Sequence, residues 1–292
     1  MPRPTRRMMA SAVAVCATAA LAAWLYPSAG SGGMVYAAPG GEPLTLHLDY
    51  PPNRGPRCPV ILFAPHRGDW GPSARNDSRC RTLIEGLNRR GYAVATAQYR
   101  QAGVHHFPAQ IADGKRAVRW LRANADRLGL AGERIGAVGV SAGGYGVCML
   151  GTAEARGGCD EPGENAVSAR VHAVAALGAP TDLASRTWPR TTEQIYIRPY
   201  LGMAYYDDPE LYARASPLTR VTSDAPPFLL FHSTDDRLVP VDQARTFADK
   251  LRRAGVSVEL IEEGGAEHVW GGERLVRTVD RLGVFFDQHL RP

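Results

Sequence analysis

From residue 40 onward the sequence alternates short apolar, β-branched runs with longer segments of helical period, and few folds accept that alternation. Strand runs are read at 60–64 (VILFA), 92–96 (YAVAT), 134–138 (RIGAV), 171–177, 228–231 and 256–261. The stretch 44–50 (LTLHLDY) alternates apolar and polar residues, as an edge strand would. Helices are expected at 77–90, where Leu83, Ile84 and Leu87 share a face, and at 113–128, where Ala117, Val118, Leu121 and Ala125 form a stripe. Further helices are expected from 145, over 241–254 and over 273–289. Strands that are apolar throughout are buried on both faces, so the predicted fold class is α/β: a mainly parallel sheet with helices on both faces. With 292 residues and 45% hydrophobic content, one large domain can hold that core. The rhythm stops at 180–227, an irregular stretch carrying Trp188, Tyr196, Tyr200, Tyr205 and Tyr206. Its length predicts a small helical insertion that partly covers a site.

Residues 1–37 do not share this pattern. Arg3, Arg6 and Arg7 precede an apolar, alanine-rich run over 8–26, and Val35 and Ala37 are small residues of the kind a signal peptidase reads. The expected division is a signal peptide at 1–37 and a catalytic domain at 38–292, with a secreted or periplasmic location. The alternative is retention of the apolar run as a membrane anchor. Thr5-Arg6-Arg7 also suits the twin-arginine export route. Without these three arginines the net charge falls from +5 to +2, and no basic block with interleaved aromatics remains. A nucleic-acid partner is therefore not expected. Export permits disulfides among Cys58, Cys80, Cys148 and Cys159. The pairs that close local loops are Cys58–Cys80 and Cys148–Cys159, against the alternative that Cys148 is an ordinary buried helix residue. No C-x-x-C or clustered His/Cys spacing suggests a metal.

Directly after the run at 134–138 stands Gly139-Val140-Ser141-Ala142-Gly143, a G-x-S-x-G sequence followed by Gly144. A serine on a tight strand-to-helix turn has its Oγ uncrowded, and the helix N-terminus offers amides to developing negative charge. Composition alone produces such a pentapeptide now and then, so its partners matter. Serine needs a base to take its proton, and the base needs an acid to orient it. In a parallel sheet such groups gather at the carboxyl ends of strands. Asp235 and Asp236 follow the strand at 228–231, and His268 follows the strand at 256–261, giving the order serine, acid, histidine.

These motifs resemble those of the α/β-hydrolase superfamily, in particular a secreted acetylesterase and feruloyl-esterase-like branch (BD-FAE-like) related to prolyl oligopeptidases. The similarity runs from about residue 42 to the C-terminus. The branch's acid lies in a pattern like H-G-x-x-D-x-x-V-P, which 232–240 matches with Ser233 in place of glycine, and this points to Asp236. The branch's G-x-x-H corresponds to Gly265-Ala266-Glu267-His268. The resemblance implies an α/β-hydrolase fold and a serine esterase acting on carboxylic esters through Ser141, His268 and Asp236. It implies no cofactor, and a small-molecule or polysaccharide ester as partner, with short acyl, acetyl or feruloyl groups. A membrane is implied only if the N-terminal segment is retained.

The family commonly carries an H-G-G-G-W-like oxyanion turn, whereas this chain has His66-Arg67-Gly68-Asp69-Trp70. Gly68, then Asp69, are the expected donors from that turn, together with the amide of Ala142. Asp69 is expected to face solvent or to pair with Arg67 or Arg79. His232 is read as structural, His105 and His106 as solvated or on a pocket rim, and Asp182 as a cap or anchor. Two enzymatic alternatives are a dienelactone-hydrolase-like and a peptidase-like serine hydrolase. The non-enzymatic one is an inactive α/β-hydrolase fold that binds a ligand or partner.

Overall fold

The computed structural model describes residues 33–65, 77–153, 159–160, 166–265 and 267–291. Its centre is an eight-stranded sheet of order β1-β2-β4-β3-β5-β6-β7-β8. The strands are β1 (Met34–Ala37), β2 (Leu44–Asp49), β3 (Cys58–Ala64), β4 (Ala93–Ala97), β5 (Leu130–Val140), β6 (Ala173–Leu177), β7 (Phe228–Ser233) and β8 (Val258–Glu263). β1 pairs with β2, and β2 with β4, in antiparallel fashion, and all other pairings are parallel. Every residue of β4, β6 and β7 is buried, as expected for strands packed on both faces. β2 alternates buried and half-buried residues. It is not the edge, however, because β1 pairs along its outer side. Met34–Ala37 thus supplies the edge strand of the sheet.

Five long helices cover the sheet: α1 (Ser78–Arg89), α2 (Ala109–Ala123), α3 (Ala142–Ala153), α4 (Asp242–Arg253) and α5 (Gly272–Leu290). Asp77 caps α1 by accepting the amides of Arg79 (2.9 Å) and Cys80 (3.3 Å). The segment read as one helix over 113–128 is α2, starting earlier, plus a separate turn at Ala125–Leu128. The break falls at Asn124, whose side-chain amide donates to the Trp120 carbonyl (2.8 Å).

Two apolar clusters lie on the two faces of the sheet. Alternate residues of β3 divide between them: Val60, Leu62 and Ala64 pack with α2, α3 and α4, while Ile61 and Phe63 pack with α1 and α5. This division corrects the expected disulfides. Cys58 lies in the first cluster and Cys80 in the second, so the sheet separates them, and Cys148 packs in the first cluster while Cys159 belongs to a third beneath the insertion. No disulfide joins any of these four buried cysteines to another. Nearness in sequence does not carry a thiol across a sheet.

On the second face α1 and α5 approach closely enough that a Cβ on Gly86 would stand 2.2 Å from Val279 Cγ1. Gly86→Ala is therefore expected to lower the unfolding free energy by about 1–3 kcal/mol through overpacking, despite alanine's better helix propensity. Val279→Ala in the same chain should recover part of the loss, so urea unfolding of the four-member cycle should give a favourable coupling. Additive losses would show that the two helices do not meet there.

Candidate active site

β5 ends at Val140 and α3 begins at Ala142, so Ser141 makes the whole connection. Its φ of 55° is left-handed, a conformation that costs a non-glycine residue on the order of 1–3 kcal/mol. Two hydrogen bonds hold it there: its amide donates to the Leu177 carbonyl at the end of β6 (2.8 Å), and its carbonyl accepts from the Tyr145 amide (2.9 Å). The glycines of the motif make the turn sterically possible. A Cβ on Gly143 would stand 2.0 Å from the Ala64 carbonyl oxygen, and one on Gly139 would stand 2.2 Å from the Gly143 oxygen. α3 can therefore start directly against the ends of β3 and β5, which presents the Ser141 side chain beyond the sheet.

The loops after β7 and β8 bring two more residues to this point. His268 Nε2 lies 2.7 Å from Ser141 Oγ, and His268 Nδ1 lies 2.6 Å from Asp236 Oδ2. Burial pushes the Asp236 carboxyl up. The hydrogen bond and charge of His268 and the amides of Val239 and Leu238 outweigh burial and hold it below the usual carboxylate range. An ionised carboxylate only accepts, so His268 Nδ1 carries the proton and Nε2 offers its lone pair to the serine hydroxyl. Asp236 Oδ1 meanwhile accepts from Leu238 N (2.8 Å) and Val239 N (2.9 Å), which locks the carboxylate in place.

Asp235 has a different task. Its Oδ2 accepts the Gly265 amide at 2.5 Å, tying the β7 loop to the β8 loop that carries His268. From the other side Arg79 donates to the Val269 carbonyl (3.2 Å) and pairs with Asp77. His232 lies fully buried beneath the acid, its Nε2 donating to the Val239 carbonyl (2.8 Å) and standing 3.5 Å from Asp236 Oδ2. Burial lowers the His232 pKa, and the bond to Val239 and the charge of Asp236 offset that only in part.

A cavity of about 750 Å³ opens beside Ser141 and His268. α2 supplies Ile111 and Gly114, α3 supplies Tyr145 and Leu150, and the 180–227 insertion supplies Leu183, Trp188, Ile197 and Tyr200. The insertion is helical, with short segments at Arg190–Thr192, Arg198–Leu201, Pro209–Arg214 and Pro217–Arg220, and a π-helical turn at Glu193–Ile197. Gln243 of α4 holds its base by accepting the amides of Thr181 (3.0 Å) and Asp182 (2.7 Å). Asp182 is an anchor, accepting the Ala184 amide through its side chain and the Trp188 indole N–H through its carbonyl. His105 and His106 stay off the cavity wall, and exposed His106 meets the Pro199 carbonyl. The motif at 139–143 did not mark Tyr145 as a wall residue, although its place one helical turn after Ser141 carries that signal.

Ala142 is the first residue of α3, where amides have no acceptor within the helix, and it lines the cavity. Gly68 and Asp69, the other expected oxyanion donors, lie outside the described residues, as does Arg67.

A parallel sheet with a serine elbow after β5, an aspartate after β7 and a histidine after β8 is the arrangement of an α/β-hydrolase. The BD-FAE family model matches residues 46–251, and the chain belongs to that family. Two similar proteins of Mycobacterium tuberculosis are Esterase LipC, 31% identical over 237 residues, and Esterase LipQ, 28% identical over 263 residues. The alignments take in 79% and 86% of this chain, and the chain spans 58% and 62% of those relatives' lengths. Among solved structures, Thermogutta terrifontis esterase 2 phosphonylated by sarin superposes with a TM-score of 0.76 at 26% identity, covering 91% of this chain and 98% of that one.

The folded pKa of His232 lies below the unfolded value of about 6.5, so the unfolded chain takes up the proton first as pH falls. His172 and His289 are also lowered, chiefly by burial, and act with the same sign. Urea midpoints should therefore decline as pH is taken from about 7.5 to about 5.5. The decline should be shallower in His232→Gln, and a midpoint that rises on acidification would contradict the burial of these imidazoles.

Proposed function

We propose that this protein is a carboxylic ester hydrolase working through an acyl-enzyme, with Ser141 as nucleophile, His268 as base and Asp236 as its orienting acid. The observation that carries the reading is the unbroken line of hydrogen bonds from Asp236 through His268 to Ser141, opening on an apolar cavity. Ser141 Oγ attacks the ester carbonyl while His268 Nε2 takes its proton. The resulting imidazolium faces the Asp236 carboxylate and then protonates the departing alcohol. Amides of Ala142 and of the Gly68–Asp69 turn stabilise the oxyanion. Water, deprotonated by the same histidine, attacks the acyl-enzyme and releases the acid. The esterases similar to this chain support the reaction class. An inactive binding protein has no use for a strained serine held against an oriented imidazole.

The substrate is a small ester whose acyl group occupies the cavity. An acetyl group would leave most of about 750 Å³ empty, whereas the walls of Tyr145, Trp188 and Tyr200 suit a larger, aromatic acyl group of the feruloyl kind. A polysaccharide carrying such an acyl group fits only with its alcohol side outside the cavity. The basic and apolar composition of residues 1–37 supports export or anchoring, and so a secreted or periplasmic site of action.

Hydrolysis of 4-nitrophenyl esters tests the assignment. Ser141→Ala should lower kcat by about 10⁶-fold and Asp236→Asn by about 10⁴-fold. Asp235→Asn, which keeps an acceptor for the Gly265 amide and only weakens that loop hydrogen bond, should cost at most about tenfold. An unchanged rate in Ser141→Ala would refute the mechanism, and a reversed order of the two aspartate variants would exchange their roles. A fluorophosphonate should label the wild-type chain at Ser141 and leave Ser141→Ala unlabelled.

A further inference from the structure

The cavity wall is largely apolar, and several of its polar side chains are already committed, although Gln110 Oε1 is buried without a partner among the described residues. The Trp188 indole N–H donates to the Asp182 carbonyl (2.9 Å), and Thr192 Oγ1 donates to the Leu238 carbonyl (2.9 Å). Gln110 Nε2 donates to the carbonyls of Arg100 (3.2 Å) and His105 (2.7 Å). The Tyr145 and Tyr200 hydroxyls differ. They meet each other at 3.2 Å across the cavity wall, with their rings edge to face at 5.4 Å.

Two phenols that share one hydrogen bond use one of their two protons, and the other O–H still needs an acceptor. In a wall of this kind an unanswered donor is costly, on the order of 1–3 kcal/mol. The pair is held firmly in place. Tyr145 lies on α3 one turn beyond the nucleophile, about 6 Å along the helix axis, and its amide is bonded to the Ser141 carbonyl. Tyr200 is fixed by its carbonyl, which accepts the Phe107 amide (3.1 Å), and by the Phe107 ring packed against its own. Burial pushes both phenols up, so each remains an O–H donor throughout the ordinary pH range.

We propose that the Tyr145–Tyr200 hydroxyl pair is a specificity determinant: it donates a hydrogen bond to a keto, ether or hydroxyl oxygen carried by the part of the ester seated in the cavity. The proposal rests on the ester hydrolase reading and adds to it a preference for oxygen-bearing groups over plain alkyl groups of equal length. The oxygen can belong to the acyl or to the alcohol side, and matched ester pairs separate the two sources.

In the acyl arm, 4-nitrophenyl 6-oxoheptanoate is compared with 4-nitrophenyl heptanoate. In the alcohol arm, 4-oxopentyl butanoate is compared with pentyl butanoate. In one arm the wild-type kcat/KM should favour the keto ester by about five- to tenfold, the worth of one neutral hydrogen bond. Tyr145→Phe and Tyr200→Phe should each bring that ratio towards one. The arm that responds identifies the seated group. Dissociation constants for the same pairs, measured by calorimetry on Ser141→Ala with and without each tyrosine substitution, should show the same change in ratio without any turnover. Circular dichroism and thermal unfolding check that both phenylalanine variants fold. Ratios that are equal in wild type and both variants, in both arms and in both measurements, would overturn the proposal. Absence of wild-type turnover, with a tyrosine-dependent binding ratio retained in Ser141→Ala, would instead refute the hydrolase reading and leave the recognition role standing.

Discussion

The contact between the first turn of α3 and the end of β3 is the constraint on which the rest of this site depends. β3 and β5 lie side by side in parallel register, with Ala64 opposite Gly139. The backbone of Gly143 then comes so close to the Ala64 carbonyl that no side chain fits between them. Only under that restriction can a single residue turn the chain from strand to helix, and that residue must adopt the left-handed backbone of Ser141. The burial of Ala137, Val138 and Val140 in β5 holds the strand in place and offsets the strain.

Two neighbouring aspartates after β7 are separated by function through geometry alone. Asp236 turns inward, where two backbone amides and His268 satisfy both of its oxygens. Asp235 turns outward and holds the amide of Gly265, so it fixes the loop that carries the histidine. One residue orients the imidazole and the other restrains its loop. His232 completes the support from below as a neutral imidazole, and its partial loss of fit on protonation links the site to the pH response of the fold.

The cavity wall is made firm by buried charge. Asp113 of α2 is fully buried and accepts from Arg100 and from Arg116 at 2.5 Å. Lys115 and Arg119, on the same helix, both reach Asp160, at 2.5 Å and 2.6 Å. Buried charges are costly unless each is paired, and here each carboxylate meets two cations. These pairs tie the helix that carries Ile111 and Gly114 to Arg100 and to Asp160, and the insertion adds Leu183, Trp188 and Tyr200 to the same cavity wall. The result is a largely apolar chamber with a phenol pair in its wall, one helical turn from Ser141.

Much of this was legible from residue order. The apolar runs marked β3 to β8, because strands buried on both faces must be apolar throughout, and the glycines around Ser141 marked the turn. The spacing of Asp236 and His268 after their strands marked their place at one end of the sheet. Other features were not legible. The pairing of Met34–Ala37 with β2 has no local signature, and the α2 break rests on one side-chain bond of Asn124. Cys58 and Cys80 are near in sequence yet lie on opposite faces. The sequence by itself thus determined the α/β architecture, the serine turn and the order of serine, acid and histidine, since these follow from local period and chain direction. Only the tertiary structure decided what Asp235 holds, which cysteines stay apart and which tyrosines line the cavity. Those outcomes depend on contacts between residues far apart in the chain, and no local pattern encodes them.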